Sequence, residues 1–422
     1  MALEPTHQID QSELASKITL GGFNIDWTTE PSVEVVEKLV RKHLALRPNA
    51  QVKVTPFTAS AFNSLFAVYC SKGQFIMRVT LPVAPKVKTS SEVATLLFIR
   101  EKTDIPVPQI MAYDANVHNE LGFEWILMER IAAVPLREKW AQMSWLKKAM
   151  LVQKMVHFQA QLFRQKLSNI GNLYKESDAR NFKSRQQRNS SYDVGEVVLP
   201  WRFVSNPAVH RGPYKTSQEY VGVLLRLLLN DANKYLRSDD EDNIKQGENM
   251  RQVHDKLQIM VNRLFVHSDV PEVTALLHRD LNDANILVSE EGDLVGIVDW
   301  ECVAAVPLWQ ACRLPQFLEG PTCDKPPTPP KGEAPDNMYM ESLEVYEQKQ
   351  LRKFFLEEMQ RVEPEWMRMF QTERLRTDIL LAIEVSDNEF IIGAVKQWLS
   401  GVVQGRQVES LTDAIRNSLR KT

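Results

Sequence analysis

The stretch Leu276 to Val303, LLHRDLNDANILVSEEGDLVGIVDWECV, constrains the fold of this chain more than any other. An apolar run ends in His278-Arg279-Asp280-Leu281, and Asn285 completes the spacing H-R-D-L-x-x-x-N. A second apolar run, Leu294 to Val298, ends in Asp299-Trp300-Glu301. Between them Glu290-Glu291-Gly292-Asp293 is a hairpin signal. The pattern therefore predicts two short strands that deliver polar side chains to one place. Phosphoryl transfer needs such a place. One carboxylate orients an attacking hydroxyl, and hard oxygen donors hold Mg²⁺ on the phosphates. In that chemistry Asp280 is the catalytic base, Asn285 and Asp299 are the metal ligands, and His278 holds the loop from behind. An ordinary polar turn between strands has no need of three oxygen ligands and a histidine at this spacing.

A chain of 422 residues has room for one large two-lobed domain or two to three ordinary ones. Its apolar content of 44%, charged content of 25% and net charge of −3 describe a globular chain with no electrostatic bias toward nucleic acid or an anionic membrane. Cys70, Cys302, Cys312 and Cys323 lack metal-ligand spacing and fit free thiols in a reducing compartment. No run of about 18 apolar residues predicts a membrane span. The opening MALEPTHQIDQSELASK resembles neither a secretory signal nor an Arg-rich transit peptide, which predicts a cytosolic protein.

Taken in order, residues 1 to about 30 read as a lightly packed lead-in, and Pro31 to Leu46 as an amphipathic packing helix. Val52 to Pro56, Leu65 to Cys70 and Phe75 to Thr80 read as an antiparallel meander that turns at Ser71-Lys72-Gly73-Gln74. In a nucleotide-binding lobe the first turn of such a meander covers the ATP phosphates, and the third strand carries a cation that reaches them. That cation is Arg78. The turn has no glycine between Pro56 and Lys72. Ala59, Ser60 and Ala61 are small enough to let backbone N–H groups near a phosphate, without glycine's easy access to φ > 0.

Ser90 or Ser91 is the expected N-cap of the helix EVATLLFIREKT. Its Glu92 either offsets the helix dipole in the first turn or pairs with Arg78 across the lobe. Phe123 to Met128 is an apolar strand, and the backbone around Glu129 and Ile131 is the expected hinge to adenine. Beyond it the character becomes helical. A long helix starts at Ser144 with His157 on its core or boundary, and Ile170 to Tyr174 reads as a turn. Residues 175 to 215 read as an irregular insert containing His210-Arg211-Gly212-Pro213-Tyr214. Helices are expected over Thr216 to Tyr235, Met250 to Phe265, Tyr339 to Val362, Arg374 to Asp387 and Phe390 to Leu399. Pro321 to Pro335 is proline-rich and extended, and 404 to 422 is a polar end that frays.

With LLHRDLNDANILV, GIVDWE, FIMRV, SSEVATLLFIREKTDIPVPQIMAYD and ILMERI in view, the chain resembles the aminoglycoside phosphotransferase/choline-kinase-like family, above all its fungal branch, over about residues 50 to 400. The resemblance implies an α+β, protein-kinase-like two-lobed fold. Residues 1–46 are then the lead-in, 47–130 a small lobe with an antiparallel sheet and one helix, and 131–422 a mostly helical large lobe. It implies ATP and Mg²⁺ in the cleft and transfer of the γ-phosphate to a hydroxyl of a small molecule. By position Asp280 matches the family's catalytic aspartate, and Asn285 and Asp299 its metal ligands. Arg78 matches its phosphate-contacting cation, and Glu92 that cation's partner. The candidate acceptor contacts are Arg211 and Glu301. No A-P-E follows the second motif, which sets the chain apart from protein kinases. The alternative is a pseudokinase or interaction module that keeps the fold and has lost turnover, motivated by the glycine-free turn and by Arg78.

Overall fold

The computed structural model describes residues 30–60, 62–176, 191–199, 206, 208–329 and 336–420. Helices run at Val33–His43 (α1), Val87–Lys102 (α2), Trp145–Arg164 (α3), Ser217–Tyr235 (α4), Glu241–Leu264 (α5), Asn337–Val362 (α6), Pro364–Thr372 (α7), Arg374–Val385 (α8), Ile392–Val403 (α9) and Leu411–Leu419 (α10).

The first layer is a sheet of Val52–Ala59 (β1), Asn63–Cys70 (β2), Gly73–Thr80 (β3), Ile110–Asp114 (β4) and Glu124–Glu129 (β5), ordered β1-β2-β3-β5-β4 with every pair antiparallel. Alternation decides what each face touches. Phe66, Met77, Trp125 and Leu127 face α1, which buries Val36, Leu39 and Val40 at helical spacing against them. Ala67, Ile76, Ile126 and Met128 face the other way, against Val93 of α2. Arg78 lies two residues from Ile76 and therefore projects toward α2.

The large lobe has two helical cores. Leu227, Leu257, Ile379, Val395 and Trp398 join α4, α5, α8 and α9. Val152, Val156, Leu351, Phe355 and Trp366 join α3, α6 and α7. Ser144 caps α3 by accepting from Lys147 N at 3.4 Å. The fold is thus α+β, protein-kinase-like and two-lobed, with the sheet on one side and the helices on the other. No helix of the described residues is long and apolar enough to cross a membrane.

Two small sheets position the Leu276–Val303 stretch. One contains Leu167–Ser168 (β7), Gly171–Lys175 (β8), Tyr192–Val194 (β9), Val273–Leu277 (β10) and Ala304–Pro307 (β13) in the order β7-β10-β13-β8-β9. The other orders Leu294–Ile297 (β12), Ile286–Val288 (β11) and Val134–Pro135 (β6). Leu277 pairs with Ala304. The chain therefore leaves β10 at His278 and returns at Ala304, and both motifs emerge from the same end of one strand pair. The hairpin turn forms as expected: Ser289 N donates to Asp293 O at 2.8 Å, and Gly292 takes φ +80°.

Several local expectations change. The helix expected from Glu92 begins at Val87, so Ser90 and Ser91 lie inside it and Glu92 sits in its second turn. The dipole role for Glu92 is thereby removed, because that effect is confined to the first turn. Ile170 to Tyr174 is largely strand rather than turn. Gly171 permits the close approach of a neighbouring backbone: a Cβ there would meet Gly195 O at 2.0 Å. His157 is exposed, and α5 starts nine residues before Met250. The C-terminal segment carries α10, pinned by the fully buried Leu411. The expected lead-in, Ala61 and much of the 175 to 215 insert lie outside the described residues.

Candidate active site

The register of β3 against β2 and β5 puts Arg78 under α2. Its Nη1 donates to Glu92 Oε1 at 2.6 Å, and both side chains are buried, at 6% and 3% exposure. Arg78 also reaches the other lobe, with Nη1 3.7 Å from Asp299 Oδ1 and Nη2 donating to Glu301 Oε2. Burial alone would lower the pKa of the guanidinium, but Glu92 and Glu301 outweigh it and raise it above the ordinary arginine range. Burial pushes the Glu92 carboxyl up to about 7, against the pull of Arg78 and Lys88.

Glu301, an expected acceptor contact, is engaged within the protein. Its Oε2 accepts from Arg78, from Lys88 Nζ at 2.5 Å and from Asn63 Nδ2 at 2.9 Å. Burial opposes its charge, but Arg78 and Lys88 prevail and hold the carboxyl at about 2. Glu301 therefore stays ionised and ties the loop after β12 to β2, β3 and α2. Sequence reading missed Lys88 and Asn63. The available signals were the i, i+4 spacing of Lys88 and Glu92 and the pairing of Asn63 with Thr80. Thr80 Oγ1 donates to Asn63 Oδ1 at 2.9 Å, which turns the amide N–H₂ toward Glu301.

The Leu276–Val303 stretch is built around His278. Nε2 donates to Val298 O at 3.1 Å, and Nδ1 accepts from Asp280 N at 3.3 Å. The ring stands edge-on to Trp300 with centroids 4.8 Å apart. Burial lowers its pKa to about 4, so the imidazole is neutral and can play both parts. One histidine thus fixes Asp280 to the strand that ends at Asp299. Asp280 is exposed, and its two carboxylate oxygens accept from Asn282 Nδ2 at 2.7 Å and Asn285 Nδ2 at 3.0 Å. The neighbouring Arg279 points away, to Glu384 at 3.1 Å and Tyr220 OH at 3.0 Å, and anchors the loop on α8 and α4.

Asp299 takes φ +63°, a left-handed conformation that aspartate tolerates better than most residues. Among the described residues its carboxylate accepts no hydrogen bond, and Arg78 is its one ion-pair partner. Burial, then Glu301, raise its pKa against the pull of Arg78 and Lys88. A carboxylate in that setting gains from a cation. The amide oxygen of Asn285 is also left over once Nδ2 has bonded Asp280. The Asp299 carboxylate and the Asn285 amide oxygen are hard donors of the kind that fits Mg²⁺. No cluster of three or more His, Cys, Asp and Glu with metal-binding geometry occurs among the described residues.

Ser60 is exposed in the β1–β2 turn, with its N–H bonded to Asn63 O at 2.8 Å. Glu129 N donates to Gln109 O at 2.8 Å, and Ile131 O accepts from Ala133 N at 3.0 Å. Ile131 packs over Gly296 of β12. Arg211 lies against the β8 side of the large lobe, where its carbonyl accepts from Val197 N at 2.7 Å and its charge acts on Tyr174 and Tyr214.

Residues 53–310, more than half of the chain, match the family model of the phosphotransferase enzyme family, APH. The chain belongs to that family. Among curated relatives of this APH chain, a subtelomeric hrmA-associated cluster protein of Aspergillus fumigatus is 28% identical over 128 residues, 30% of this chain and 25% of the relative. Altered inheritance of mitochondria protein 9, mitochondrial, of Saccharomyces cerevisiae is 23% identical over 343 residues, 69% of this chain and 54% of the relative. The chain spans about half the length of that relative and a quarter of the Aspergillus one. Among solved structures, a thermostable mutant of aminoglycoside phosphotransferase APH(4)-Ia in ternary complex with ADP and hygromycin B is 13% identical, with a TM-score of 0.46, covering 89% of this chain and 99% of that one. The expectation of a cytosolic protein is overturned, since the relatives in Saccharomyces cerevisiae and Eremothecium gossypii are named as mitochondrial.

Proposed function

We propose that this APH-family chain is an ATP-dependent phosphotransferase acting on a hydroxyl of a small molecule. The observation that supports it most is the single hydrogen-bonded unit in which His278 joins the Asp280 loop to the Asp299 strand, with Arg78 and Glu92 facing Asp299 from the other lobe. In this reading Asp280 accepts the proton of the acceptor hydroxyl, whose oxygen bonds to the γ-phosphorus as the bond to the β–γ bridging oxygen breaks. ADP leaves with the bridging oxygen. Asn282 and Asn285 aim the Asp280 carboxylate, and Arg78 meets the phosphates. Backbone groups near Ser60 cover them, and the Glu129–Ile131 segment receives adenine. Mg²⁺, held by Asp299 and the Asn285 amide oxygen, would neutralise phosphate charge. The place of action is the mitochondrion, on the names of the yeast relatives.

Incubation of the purified full chain with γ-labelled ATP, Mg²⁺ and a fractionated metabolite extract tests this. Label should reach a small molecule with the parent and not with Asp280→Ala. A parent that Mg-ATP stabilises thermally but that labels nothing would sink the reading. A pseudokinase is the second reading. It is favoured by the engagement of Arg78 with three carboxylates, which leaves that cation less available to phosphate. Absence of any Mg-ATP stabilisation would select it.

A further inference from the structure

The residues that flank Asp280, namely His278, Arg279 and Leu281, line one wall of a cavity of about 560 Å³. That size suits a small molecule. The other walls come from the segment after β13 and from α6, α7, α8 and α10. Arg279, Arg313, Arg352, Arg374 and Arg416 border it, against Glu319, Asp378 and Asp413. The lining thus carries two more cations than anions, and the neutral His278 adds none.

Most of these cations have protein partners. Arg279 holds Glu384, Arg416 holds Asp413 at 2.8 Å, and Arg374 lies 3.7 Å from Asp378. Arg352 bonds the carbonyls of Leu318 and Gly320. Arg313 differs. Its Nε and Nη2 are out of solvent and donate to nothing among the described residues, and the same holds for Nε of Arg279. Native proteins rarely leave guanidinium donors in this state. Burial, with the like charge of Arg416, also pushes Arg352 below its ordinary range. A bound anion would complete the Arg313 fork and relieve that repulsion.

We propose that this cavity holds the anionic group of the phosphate acceptor, a small hydroxylated molecule bearing a carboxylate or phosphate, with Arg313 as its principal partner. The proposal rests on the phosphotransferase reading, since it is the position beside Asp280 that makes the occupant an acceptor. Asp378 Oδ2 is likewise buried without a donor among the described residues, so a cationic amine is the competing occupant.

Thermal unfolding of the full chain at constant ionic strength tests the site, with sodium succinate, sodium phosphate and ethanolamine as probes. At least one of the two anions should raise Tm in a saturable way, and ethanolamine should not. Arg313→Gln, and separately Arg416→Gln, should weaken that anion about tenfold or more and leave the Mg-ATP shift unchanged. Equal anion stabilisation of the parent and both variants overturns the assignment, as does stabilisation by ethanolamine alone. Phosphotransfer to extract fractions separated beforehand by charge tests the acceptor class. Label confined to the neutral or cationic fraction overturns the anionic acceptor and leaves the phosphotransferase reading standing. Label in the anionic fraction, reduced by Arg313→Gln, supports it.

Discussion

Lys88 Nζ lies 2.5 Å from Glu301 Oε2, and the lysine is 1% exposed. The two residues are 213 positions apart and belong to different lobes. Removing one member of a buried pair strands the other charge. Lys88→Met should therefore destabilise the protein by about 3 kcal/mol, with Arg78 and Asn63 preventing a larger loss. Urea unfolding measures this. The double variant Lys88→Met/Glu301→Gln should recover part of the loss. An unchanged midpoint for Lys88→Met would show that Arg78 alone suffices.

Asp280→Asn should lower phosphoryl transfer by roughly 10²- to 10⁴-fold, the usual range for a positioned acid or base. The Mg-ATP thermal shift should persist, because the Asp280 carboxylate is exposed and bonded only within its own loop. Retained turnover would remove Asp280 from the chemistry.

Asp299→Asn should raise the Mg²⁺ concentration needed for half-maximal nucleotide stabilisation on the order of tenfold or more, since it deletes the charged member of the donor set. EDTA should abolish the ATP shift of the parent. A shift indifferent to both treatments would dismiss Asp299 as a ligand.

His278 links pH to stability. Its folded value of about 4 lies below the ordinary 6.5, so the unfolded chain binds the proton more readily between those two values. Stability from this group is complete above pH 6.5 and falls as pH drops toward 4, by about 3 kcal/mol at most. Glu92 opposes it, since its raised value of about 7 favours the folded state at low pH and loses that effect between about 4.5 and 7. His278→Gln should flatten the acid limb, so that the stability difference between parent and variant shrinks as pH falls from 6.5 to 4. Parallel curves would contradict the neutral buried state.

Gly171→Ala should destabilise by about 1–3 kcal/mol or more, because the new Cβ would sit 2.0 Å from the rigid carbonyl of Gly195. A midpoint equal to that of the parent would mean that the strand can shift at no cost.

The parts of the site that could be read in advance are local. His278, Asp280 and Asn285 lie within eight residues, so their bonds follow from spacing. Arg78 and Glu92 follow from alternation along a strand that faces a helix. Lys88 and Asn63 carry only weak local signals, because their partner lies more than 200 residues away. The start of α2 was missed for a related reason. Val87-Lys88-Thr89-Ser90 is a poor opening for a helix, and Lys86 takes φ +67°. Burial of Thr89, Ser90 and Ser91 overrides propensity there. The glycine in IGNLY signals a turn by composition, whereas its role is to let two backbones approach.

The grip of Glu301 on β2, β3 and α2 resembles a latch at the back of a jaw. Any opening that swings α2 outward must first pull one carboxylate oxygen from a guanidinium, an ammonium and an amide at once. The glycine-free β1–β2 turn is caught in the same grip, because Asn63 follows it directly and its amide reaches both Glu301 and the Ser60 hydroxyl.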